Sequence, residues 1–395
     1  MAFVDLAAQQ ERIYPEIQKR IQAVLSHGRY IMGPEVKELE TALAAFSGAG
    51  HVITCSSGTD AILMVLLAME IGPGDGVFVP SFTFVATAEA VRLAGATPVF
   101  VDIDPVTFNI SPERLDESIL ALKAARPEIR PAALISVDMF GLPCDYDPIN
   151  ELASAHGLVV IEDGAQSFGA GYKGRMAGTL AHAGCTSFFP AKPLGCYGDG
   201  GAIFTDSHEL AEKLISIRVH GKGMNKYDNV RIGINGRLDT IQAAILLAKL
   251  EIFPDELERR QRVAENYKEL LTFQGGFRED SGEDYRGGTP DLILPHVPDG
   301  YESAWAQYSV KARSSRERED LLSLLKKGGV PTAIYYLKPL HLQTAFSHSD
   351  FSLGPLPLSE DTSSRIFSLP MHPYLTLEEQ QHIARILRAY PWAAN

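Results

Sequence analysis

The sequence predicts an α/β protein whose core is a largely parallel β-sheet covered by helices. The main observation is that short apolar strands alternate with helical segments from about residue 51 to residue 165, the pattern of such sheets. The chain has 395 residues, which is enough for a large core in more than one part. We expect a large domain over residues 1–250 and a smaller C-terminal α+β domain over residues 251–395.

Composition and charge exclude several classes of protein. The hydrophobic content of 45% and the charged content of 22% are those of a soluble globular protein. The net charge of −13 argues against nucleic-acid binding, which needs a basic surface. The N-terminus lacks the features of a signal peptide, and the longest apolar run, Ala61–Met69, is too short to span a bilayer. The four cysteines show no CxxC spacing, so we expect no metal site and no disulfide framework, in a cytoplasmic protein without a membrane partner.

The chain begins with two predicted helices. Ile13, Ile17 and Ile21 lie at helical spacing, and the helix should end at His27–Gly28. Pro34 suits the first turn of the next helix, which runs through Phe46. Tyr30 lies in the turn between them and either packs or faces a site; its position alone favours packing.

A phosphate-type turn follows the first predicted strand, His51–Cys55. Ser56–Asp60 is rich in Ser, Gly and Thr and leads into an apolar helix, Ala61–Met69. Free N–H groups and the helix dipole at such a turn can hold an anion. Simple N-capping by Ser57 or Thr59 explains the same residues, so both interpretations stay open.

Asp163 closes the last of four further predicted strands. It is either the N-cap of a helix that follows or the partner of a buried cation, because a carboxylate at the end of an apolar strand is costly unless it is paired. Gln166 could support either role. Sites in parallel sheets lie at the carboxyl ends of the strands, so Asp163 and the turn after Cys55 could share a site. The strands are Val77–Pro80, Pro98–Asp102, Pro131–Val137 and Leu158–Asp163, and the helices are Ala88–Ala94, Ser111–Lys123 and Asp147–His156.

A single lysine, Lys192, lies in a Gly- and Pro-rich loop between two more predicted strands, Cys185–Phe189 and Gly201–Thr205. Desolvation there would lower its pKa and leave the amine free to attack a carbonyl. The alternative is a lysine that extends from a turn into solvent.

The remaining segments are predicted with fewer functional signals. Residues 218–237 form a basic, Gly-rich loop that is either an anion contact or a solvated loop. Residues 274–300 and 343–356 are predicted to be irregular. The other predicted elements are a helix over 207–217, helices Leu238–Phe253 and Glu256–Leu271 with a break at Pro254, strands Ala306–Ala312 and Pro331–Tyr336, and helices Arg316–Gly328 and Glu378–Ala389.

Taken together, the order of these features resembles the fold-type I pyridoxal-phosphate (PLP) enzymes, and within them the DegT-type sugar-nucleotide aminotransferase family. The resemblance spans nearly the whole chain and implies a mostly parallel, seven-stranded-type sheet in the large domain. The segments that carry it best are Ser57–Ala61, Phe82–Thr87, Ile161–Gln166 and the stretch Thr186–Phe204 around Lys192.

The resemblance also implies a role for each candidate residue. Lys192 would hold PLP covalently and act as the catalytic base, and Asp163 would keep the ring nitrogen protonated. Arg237, across a dimer interface, would face the substrate, and Tyr30, Tyr335 and Tyr336 are further candidate substrate contacts. The implied cofactor contacts are Gly58, Thr59, Phe84, Asp163, Gln166, Ser187 and Lys192, with Asn235 from the other subunit of a homodimer.

The loop sequence Phe188–Gly201 is most similar to the branch that aminates C3 of UDP-linked 2-acetamido-3-oxo-hexuronic acids. This branch implies L-glutamate as donor and products for lipopolysaccharide O-antigen. Two departures concern the sugar: Tyr335–Tyr336 stands where close relatives tend to have His-Tyr, and the 274–300 segment is long. The alternatives are a 4-aminotransferase for a 4-keto-6-deoxy sugar nucleotide and, more distantly, a non-catalytic PLP-binding regulator.

Overall fold

The structure is a computed structural model, and it describes residues 1–225, 227–272, 277–279, 291–346 and 353–392. The helices of this part are α1 (Leu6–His27), α2 (Pro34–Ser47), α3 (Gly58–Ala68), α4 (Ala86–Leu93), α5 (Pro112–Ala125), α6 (Tyr146–His156), α7 (His208–Ile217), α8 (Thr240–Thr272), α9 (Ser315–Lys327), α10 (Pro357–Arg365) and α11 (Leu377–Arg388). The strands are β1 (His51–Cys55), β2 (Asp75–Pro80), β3 (Thr97–Val101), β4 (Arg130–Val137), β5 (Val159–Asp163), β6 (Gly171–Tyr172), β7 (Arg175–Met176), β8 (Ala183–Ser187), β9 (Gly201–Thr205), β10 (Phe277–Glu279), β11 (Leu292–Leu294), β12 (Tyr301–Glu302), β13 (Tyr308–Ala312) and β14 (Ile366–Leu369).

The central sheet has seven strands in the order β1-β9-β8-β5-β4-β2-β3. The pairs β2–β3, β2–β4, β4–β5 and β5–β8 are parallel, and β9 runs antiparallel to both of its neighbours. Helices cover the sheet, and the predicted α/β fold with a mostly parallel seven-stranded sheet is confirmed. Parallel strands place their carboxyl ends at one edge, which is where α/β proteins hold ligands.

Both faces of the sheet are buried, as its apolar strands predict. In β2, Phe78 packs into one cluster with α5 and α6, whereas Val79 packs into another with α3 and α4. The same alternation separates Leu134 from Ile135 in β4. A one-residue shift in register would therefore exchange the two cores.

The C-terminal part has its own core around a four-stranded sheet with the order β10-β11-β13-β14. Side chains of α8, α9 and α11 pack on it, among them Tyr267, Leu321 and Ile383. The predicted irregular segments 274–300 and 343–356 lie partly outside the described residues. The described part of the first contains β10 and β11, so the prediction of an irregular segment is wrong there.

The predicted break at Pro254 is wrong. α8 is one helix of 33 residues that contains Pro254. Proline in a helix costs about 3 kcal/mol because a hydrogen bond is lost and the ring meets the preceding turn. Burial on both sides of Pro254 outweighs that cost, since Phe253 and Val263 lie in different cores. The predicted domain division at 250/251 falls inside this helix and stays a prediction.

Among the described residues, no helix combines the length and apolar character of a membrane span.

The predicted strand Pro331–Tyr336 is also wrong. Only Ala333 pairs with the sheet, through mutual backbone hydrogen bonds with Ser368 of 3.3 and 2.8 Å. The chain then leaves the sheet edge, and Tyr335 and Tyr336 turn towards the central sheet. The apolar pattern of this segment reflects side chains that line a cleft and not a ladder of strand pairs.

Candidate active site

A cleft of about 460 Å³ opens at the carboxyl ends of the central strands. This volume lies within the range of small-molecule sites. The fold brings most of the predicted site residues together here, from five separate stretches of the chain. Those that line the cleft are Gly58, Thr59, Phe84, Asp163, Gln166, Ser187, Lys192, Tyr335 and Tyr336.

The turn between β1 and α3 forms one end of the cleft. Ser57 caps α3, and its Oγ accepts a hydrogen bond of 3.0 Å from the N–H of Asp60. The N–H groups of Gly58 and Thr59 belong to the first helical turn, where no helical carbonyl is available to them. A Cβ on Gly58 would lie 2.8 Å from the Cβ of Ser187. The cap by Ser57 thus leaves the N–H groups of Gly58 and Thr59 available to a ligand, and the glycine lets the turn approach β8 closely.

The loop after β8 is compact and directs Lys192 into the cleft. The backbone N–H of Lys192 donates a hydrogen bond of 2.9 Å to the carbonyl of Phe189. A Cβ on Gly195 would lie 2.4 Å from the carbonyl oxygen of Pro190, so this bend requires glycine. The Lys192 side chain is half-buried in the cleft wall and does not extend into bulk solvent. Burial lowers the pKa of Lys192, and the charge of Asp163 opposes that shift.

Asp163 is 7% exposed at the end of β5. Its Oδ2 accepts a hydrogen bond of 2.8 Å from the hydroxyl of Thr87, and its Oδ1 accepts one of 3.2 Å from the N–H of Ala165. Burial raises the pKa of Asp163, while Thr87, Lys192 and the Ala165 N–H lower it. The carboxylate caps a turn and no helix follows β5 directly, so the helix N-cap alternative is wrong.

Aromatic side chains form the walls. Phe84 is 54% exposed, and its ring centroid lies 6.1 Å from that of Tyr336. The side chain of Gln166 donates from Nε2 to the Tyr336 hydroxyl over 3.4 Å and accepts at Oε1 from the N–H of Phe140 over 2.9 Å. Burial raises the pKa of Tyr336 well above its ordinary value, so the phenol is neutral at physiological pH.

Three predicted residues do not line the cleft of their own chain: Tyr30, Asn235 and Arg237. Tyr30 is 47% exposed beside the start of α8, so it is not a core aromatic of this chain. Asn235 is exposed, and its neighbour Gly236 accepts a hydrogen bond of 3.1 Å from the N–H of Ser56. The segment therefore runs alongside the phosphate-type turn without pointing into it.

Sequence reasoning missed several polar groups of the site. Thr87 was noted only as part of a motif, and its bond to Asp163 depends on tertiary structure. Thr83 and Gln307 line the cleft, and their side-chain oxygens Oγ1 and Oε1 are buried without a hydrogen-bond partner among the described residues. The spacing of Thr83 and Thr87, one helical turn apart after a strand end, is the available signal.

A second lysine lies behind the lysine loop. Lys249 of α8 is fully buried, and its Nζ lies 4.3 Å from the centroid of the Tyr197 ring. Within the part of the chain that is described, this Nζ has no hydrogen-bond partner. Burial lowers the pKa of Lys249 to about 8.

The donor set fits PLP, the cofactor that the resemblance implies. A buried carboxylate that forms no ion pair among the described residues suits a protonated ring nitrogen. A half-buried lysine suits an aldehyde, and the helix N-terminus at Gly58 suits a phosphate. Phe84 presents an exposed ring to the same cleft.

Over residues 11–388 the sequence matches the DegT/DnrJ/EryC1/StrS aminotransferase family. It is 48% identical, over 94% of the chain and 95% of the relative, to the UDP-2-acetamido-2-deoxy-3-oxo-D-glucuronate aminotransferase of Pseudomonas aeruginosa. It is 42% identical (96% and 95% covered) to a protein of Geobacillus stearothermophilus named pleiotropic regulatory protein. It is 36% identical (99% and 96% covered) to the dTDP-3-amino-3,4,6-trideoxy-alpha-D-glucose transaminase of Streptomyces venezuelae.

Solved structures agree with the sequence relatives. A DegT DnrJ EryC1 StrS aminotransferase from Brucella abortus superposes with a TM-score of 0.91 at 49% identity and covers 99% of both chains. NtdA from Bacillus subtilis, with bound cofactor PMP, has a TM-score of 0.83 at 29% identity and covers 98% of this chain and 82% of its own.

Proposed function

Because the chain belongs to the DegT/DnrJ/EryC1/StrS aminotransferase family, and is thus a PLP-dependent sugar aminotransferase, we propose a specific reaction for it. It moves an amino group from L-glutamate to the C3 keto group of a UDP-linked 2-acetamido-3-oxo-hexuronic acid. The observation that carries the reaction class is the meeting of Lys192 and Asp163 in one cleft. The choice of sugar is supported by the 48% identity to the Pseudomonas enzyme.

When bound, PLP supplies an electrophilic aldehyde and a ring that withdraws electrons from the reacting carbon. Lys192 brings an amine whose pKa burial has lowered, so a larger fraction is neutral and nucleophilic near pH 7. Released from the aldehyde, the same Nζ can accept and return a proton within the cleft. A lysine that acts as both nucleophile and base needs a mobile amine on a fixed backbone. The compact loop fixes the backbone of Lys192.

Asp163 would hold the proton of the ring nitrogen. Its two oxygens already accept bonds from Thr87 and the Ala165 N–H, which fixes the plane of the carboxylate. A cationic N–H in the cleft would add an opposite charge in direct contact with this buried carboxylate, which otherwise has only the charge of Lys192 in its surroundings. Gln166, held by the backbone of Phe140, would present its amide to the ring hydroxyl.

The phosphate would lie at the start of α3. Gly58 and Thr59 would offer backbone N–H groups, and Ser187 would offer its hydroxyl from β8. Phe84 would pack on the ring face. Tyr335 and Tyr336 would contact the sugar from the opposite wall.

We also propose a homodimer with shared sites. The segment from Arg218 to Arg237 projects apolar side chains into solvent, with Met224 fully exposed and Ile232 84% exposed. Such groups are buried when a second subunit covers them. In that arrangement Asn235 would reach the phosphate of the partner's site, and the Arg237 guanidinium would bind the carboxylate of the uronate or of L-glutamate.

The proposed setting is the cytoplasm, in the synthesis of amino sugars for lipopolysaccharide O-antigen. A UDP-linked product is an activated sugar that a glycosyltransferase can use. We infer this setting from the proposed product and from the acidic composition of the chain, which has a net charge of −13.

Two alternatives stay open. The first is amination at another position or on another nucleotide sugar, including C4 of a 4-keto-6-deoxy sugar; the Streptomyces relative is named for a dTDP sugar. The second and more distant one, against which the aminotransferase family match stands, is a regulator that binds PLP without turnover; the Geobacillus relative is named a pleiotropic regulatory protein. A substrate panel separates all three.

The test first converts the bound cofactor to its aminated form with L-glutamate. Each keto sugar is then added, and the return of the cofactor to PLP is followed by absorbance. The panel holds the UDP-2-acetamido-3-oxo-hexuronate, the matched 3-oxo sugar without the carboxylate, and dTDP-linked 3-keto and 4-keto 6-deoxy sugars. The uronate should react at least about tenfold faster than its uncharged match, because the uncharged analogue leaves the Arg237 guanidinium without its carboxylate partner. A faster reaction with a 4-keto sugar would contradict the proposed substrate, and no response to any donor or sugar would favour the regulator.

A further inference from the structure

Two carboxyl groups outside the cleft lie directly behind Asp163. Asp138 follows β4, and Glu162 precedes Asp163 in β5; both side chains are fully buried. Asp138 follows Val137, which pairs with Asp163, so Asp138 and Glu162 lie at the ends of adjacent strands, and the charge of Asp138 helps to raise the pKa of Glu162. Since successive strand residues point to opposite faces, Glu162 points away from the cleft that Asp163 lines.

The groups around this pair are all hydrogen-bond donors without charge. Asp138 accepts from the hydroxyl of Ser167 (2.7 Å), the hydroxyl of Tyr146 (2.8 Å) and the N–H of Cys144 (2.9 Å). Glu162 accepts from the backbone N–H groups of residues 178 and 180. Across the described residues, neither carboxyl forms an ion pair with a lysine, arginine or histidine, although such pairs are found elsewhere in the chain.

Two adjacent buried carboxylates without a cation cannot both be ionised, because their repulsion adds to the cost of desolvation. Asp138 has three donors and is the better place for the negative charge. Glu162 then carries the proton and donates it to Asp138. Burial raises the pKa of both groups, to about 6 for Asp138 and well above the ordinary range for Glu162, where the charge of Asp138 is the second cause.

The pair is bonded to the turn that carries the cofactor contacts. Ser167, which donates to Asp138, closes this turn with its N–H on the carbonyl of Gly164 at 3.1 Å. The N–H of Asp138 donates to the carbonyl of Asp163 over 3.2 Å. A Cβ on Gly164 would lie 3.2 Å from the Ser167 Oγ and 3.4 Å from a Glu162 oxygen. The turn is therefore hydrogen-bonded to Asp138 and lies close to Glu162.

We propose that Asp138 and Glu162 share one proton and act as positioning residues for the Asp163–Ser167 turn. The shared proton leaves a single negative charge behind the site, and that charge anchors Ser167. Asp163 and Gln166 are thereby held at a fixed place against the cofactor. The positioning role rests on the proposed cofactor contacts of Asp163 and Gln166; the shared proton does not.

The proton is tested by infrared spectroscopy on the cofactor-free protein at pH 7. The wild type should show the carbonyl-stretch band of a protonated carboxylic acid, and Glu162→Gln should lose it. Asp138→Asn should keep the band but move it to higher frequency, because burial alone keeps Glu162 protonated while its proton loses a charged acceptor. The exposed variant Glu117→Gln is the matched control and should keep the band. Absence of the band from the wild type, or an unshifted band in Asp138→Asn, would overturn the shared proton.

The positioning role is tested by PLP binding, followed by the visible absorbance of the bound cofactor across pH. Glu162→Gln keeps the charge and a donor, so its affinity should stay within about twofold of wild type with the same pH profile. Asp138→Asn should bind roughly tenfold more weakly or worse, with an altered profile. Ser167→Ala removes only one hydrogen-bond donor to Asp138, and its PLP affinity should also fall. This variant carries the test where Asp138→Asn does not fold. Unchanged affinity and profile in Ser167→Ala would overturn the positioning role.

Failure of the proposed function would look different. Asp163→Asn should keep the infrared band while it changes the cofactor spectrum. A wild-type cofactor spectrum in Asp163→Asn would contradict the cofactor role of Asp163 and leave the shared proton standing.

Discussion

The hydroxyl of Thr87 donates a 2.8 Å hydrogen bond to the carboxylate of Asp163. Thr87 belongs to α4 and Asp163 ends β5, so the bond joins two elements that meet only in the folded protein. It opposes the effect of burial on the pKa of Asp163. The ionisation of the site's main carboxylate therefore depends on a residue that lies outside the cleft lining.

Thr87→Val should slow the half-reaction with L-glutamate by roughly tenfold, because a hydrogen bond to a charged group is lost without a change of shape. Thr87→Ser keeps the hydroxyl and should stay within about twofold. The measurement is single-turnover absorbance of the bound cofactor. Thr41→Val, which removes an exposed hydroxyl of α2, is the control and should be silent. Equal rates for Thr87→Val and wild type would show that this bond does not support Asp163.

Lys192→Ala should abolish turnover, with a loss of at least about a thousandfold, since both nucleophile and base are removed. Borohydride reduction followed by mass spectrometry gives an independent readout. The wild type should gain the mass of the reduced cofactor, and Lys192→Ala should not. The surface variant Lys213→Ala should label like wild type. Labelling of Lys192→Ala at full yield would place the covalent link on another lysine.

Asp163→Asn should stabilise the cofactor-free protein at neutral pH while it weakens the enzyme. Burial raises the pKa of Asp163 in the folded state, so the folded protein binds this proton more tightly than the unfolded chain does. The stability that the group contributes is present at low pH and is lost as the pH rises through the folded pKa. Removing the charge should raise the melting temperature by a few degrees at pH 7, and the gain should shrink in acid. A lower melting temperature at pH 7 would show that the charge is already compensated.

Lys249→Met should flatten the rise of stability in alkali. The folded pKa of Lys249 is lowered to about 8 from 10.5, so between these values the unfolded chain binds a proton that the folded one does not. Stability therefore increases with pH across this window. Lys249→Met should be more stable than wild type at pH 7, on the order of 1 kcal/mol, and the difference should close by pH 10. Melting temperatures from pH 7 to 10 decide this, and a constant difference would contradict the titration.

Gly58→Ala should weaken phosphate binding because its Cβ would lie 2.8 Å from the Cβ of Ser187 and push β8 away from the turn. We expect the affinity for PLP, and for inorganic phosphate as competitor, to fall by roughly tenfold or more. Gly72→Ala is the matched control, since its Cβ would meet its nearest neighbour, the Ala94 carbonyl oxygen, at an ordinary 3.4 Å. Equal losses in both variants would point to helix or turn stability and not to the site.

The strand ends that build the cleft could be predicted because local signals and tertiary structure agree there. β1 and β9 begin and end where the apolar runs do, and β5 ends at Asp163 where the apolar pattern stops. The resemblance supplied the roles of Lys192 and Gln166, which no local pattern specifies.

The failures share a physical cause. At Pro254 the low helix propensity of proline predicts a break, but burial of the helix on both sides, visible only in the folded chain, outweighs it. At Tyr335–Tyr336 an apolar run was assigned to a strand, whereas it lines the cleft. Asp138 and Glu162 carry no local signal because each is an ordinary residue in sequence, and only the pairing of β4 with β5 brings the ends of their strands together.

The continuity of α8 bears on how the chain melts. A helix of 33 residues is about 50 Å long, and this one starts where the Thr240 N–H donates to the Tyr30 carbonyl and ends among the side chains of the C-terminal core. Its two halves are buried in different cores, so unfolding either core exposes half of the same helix. We therefore expect a single cooperative transition in which both parts unfold together, and a chain cut at residue 250 should regain neither core.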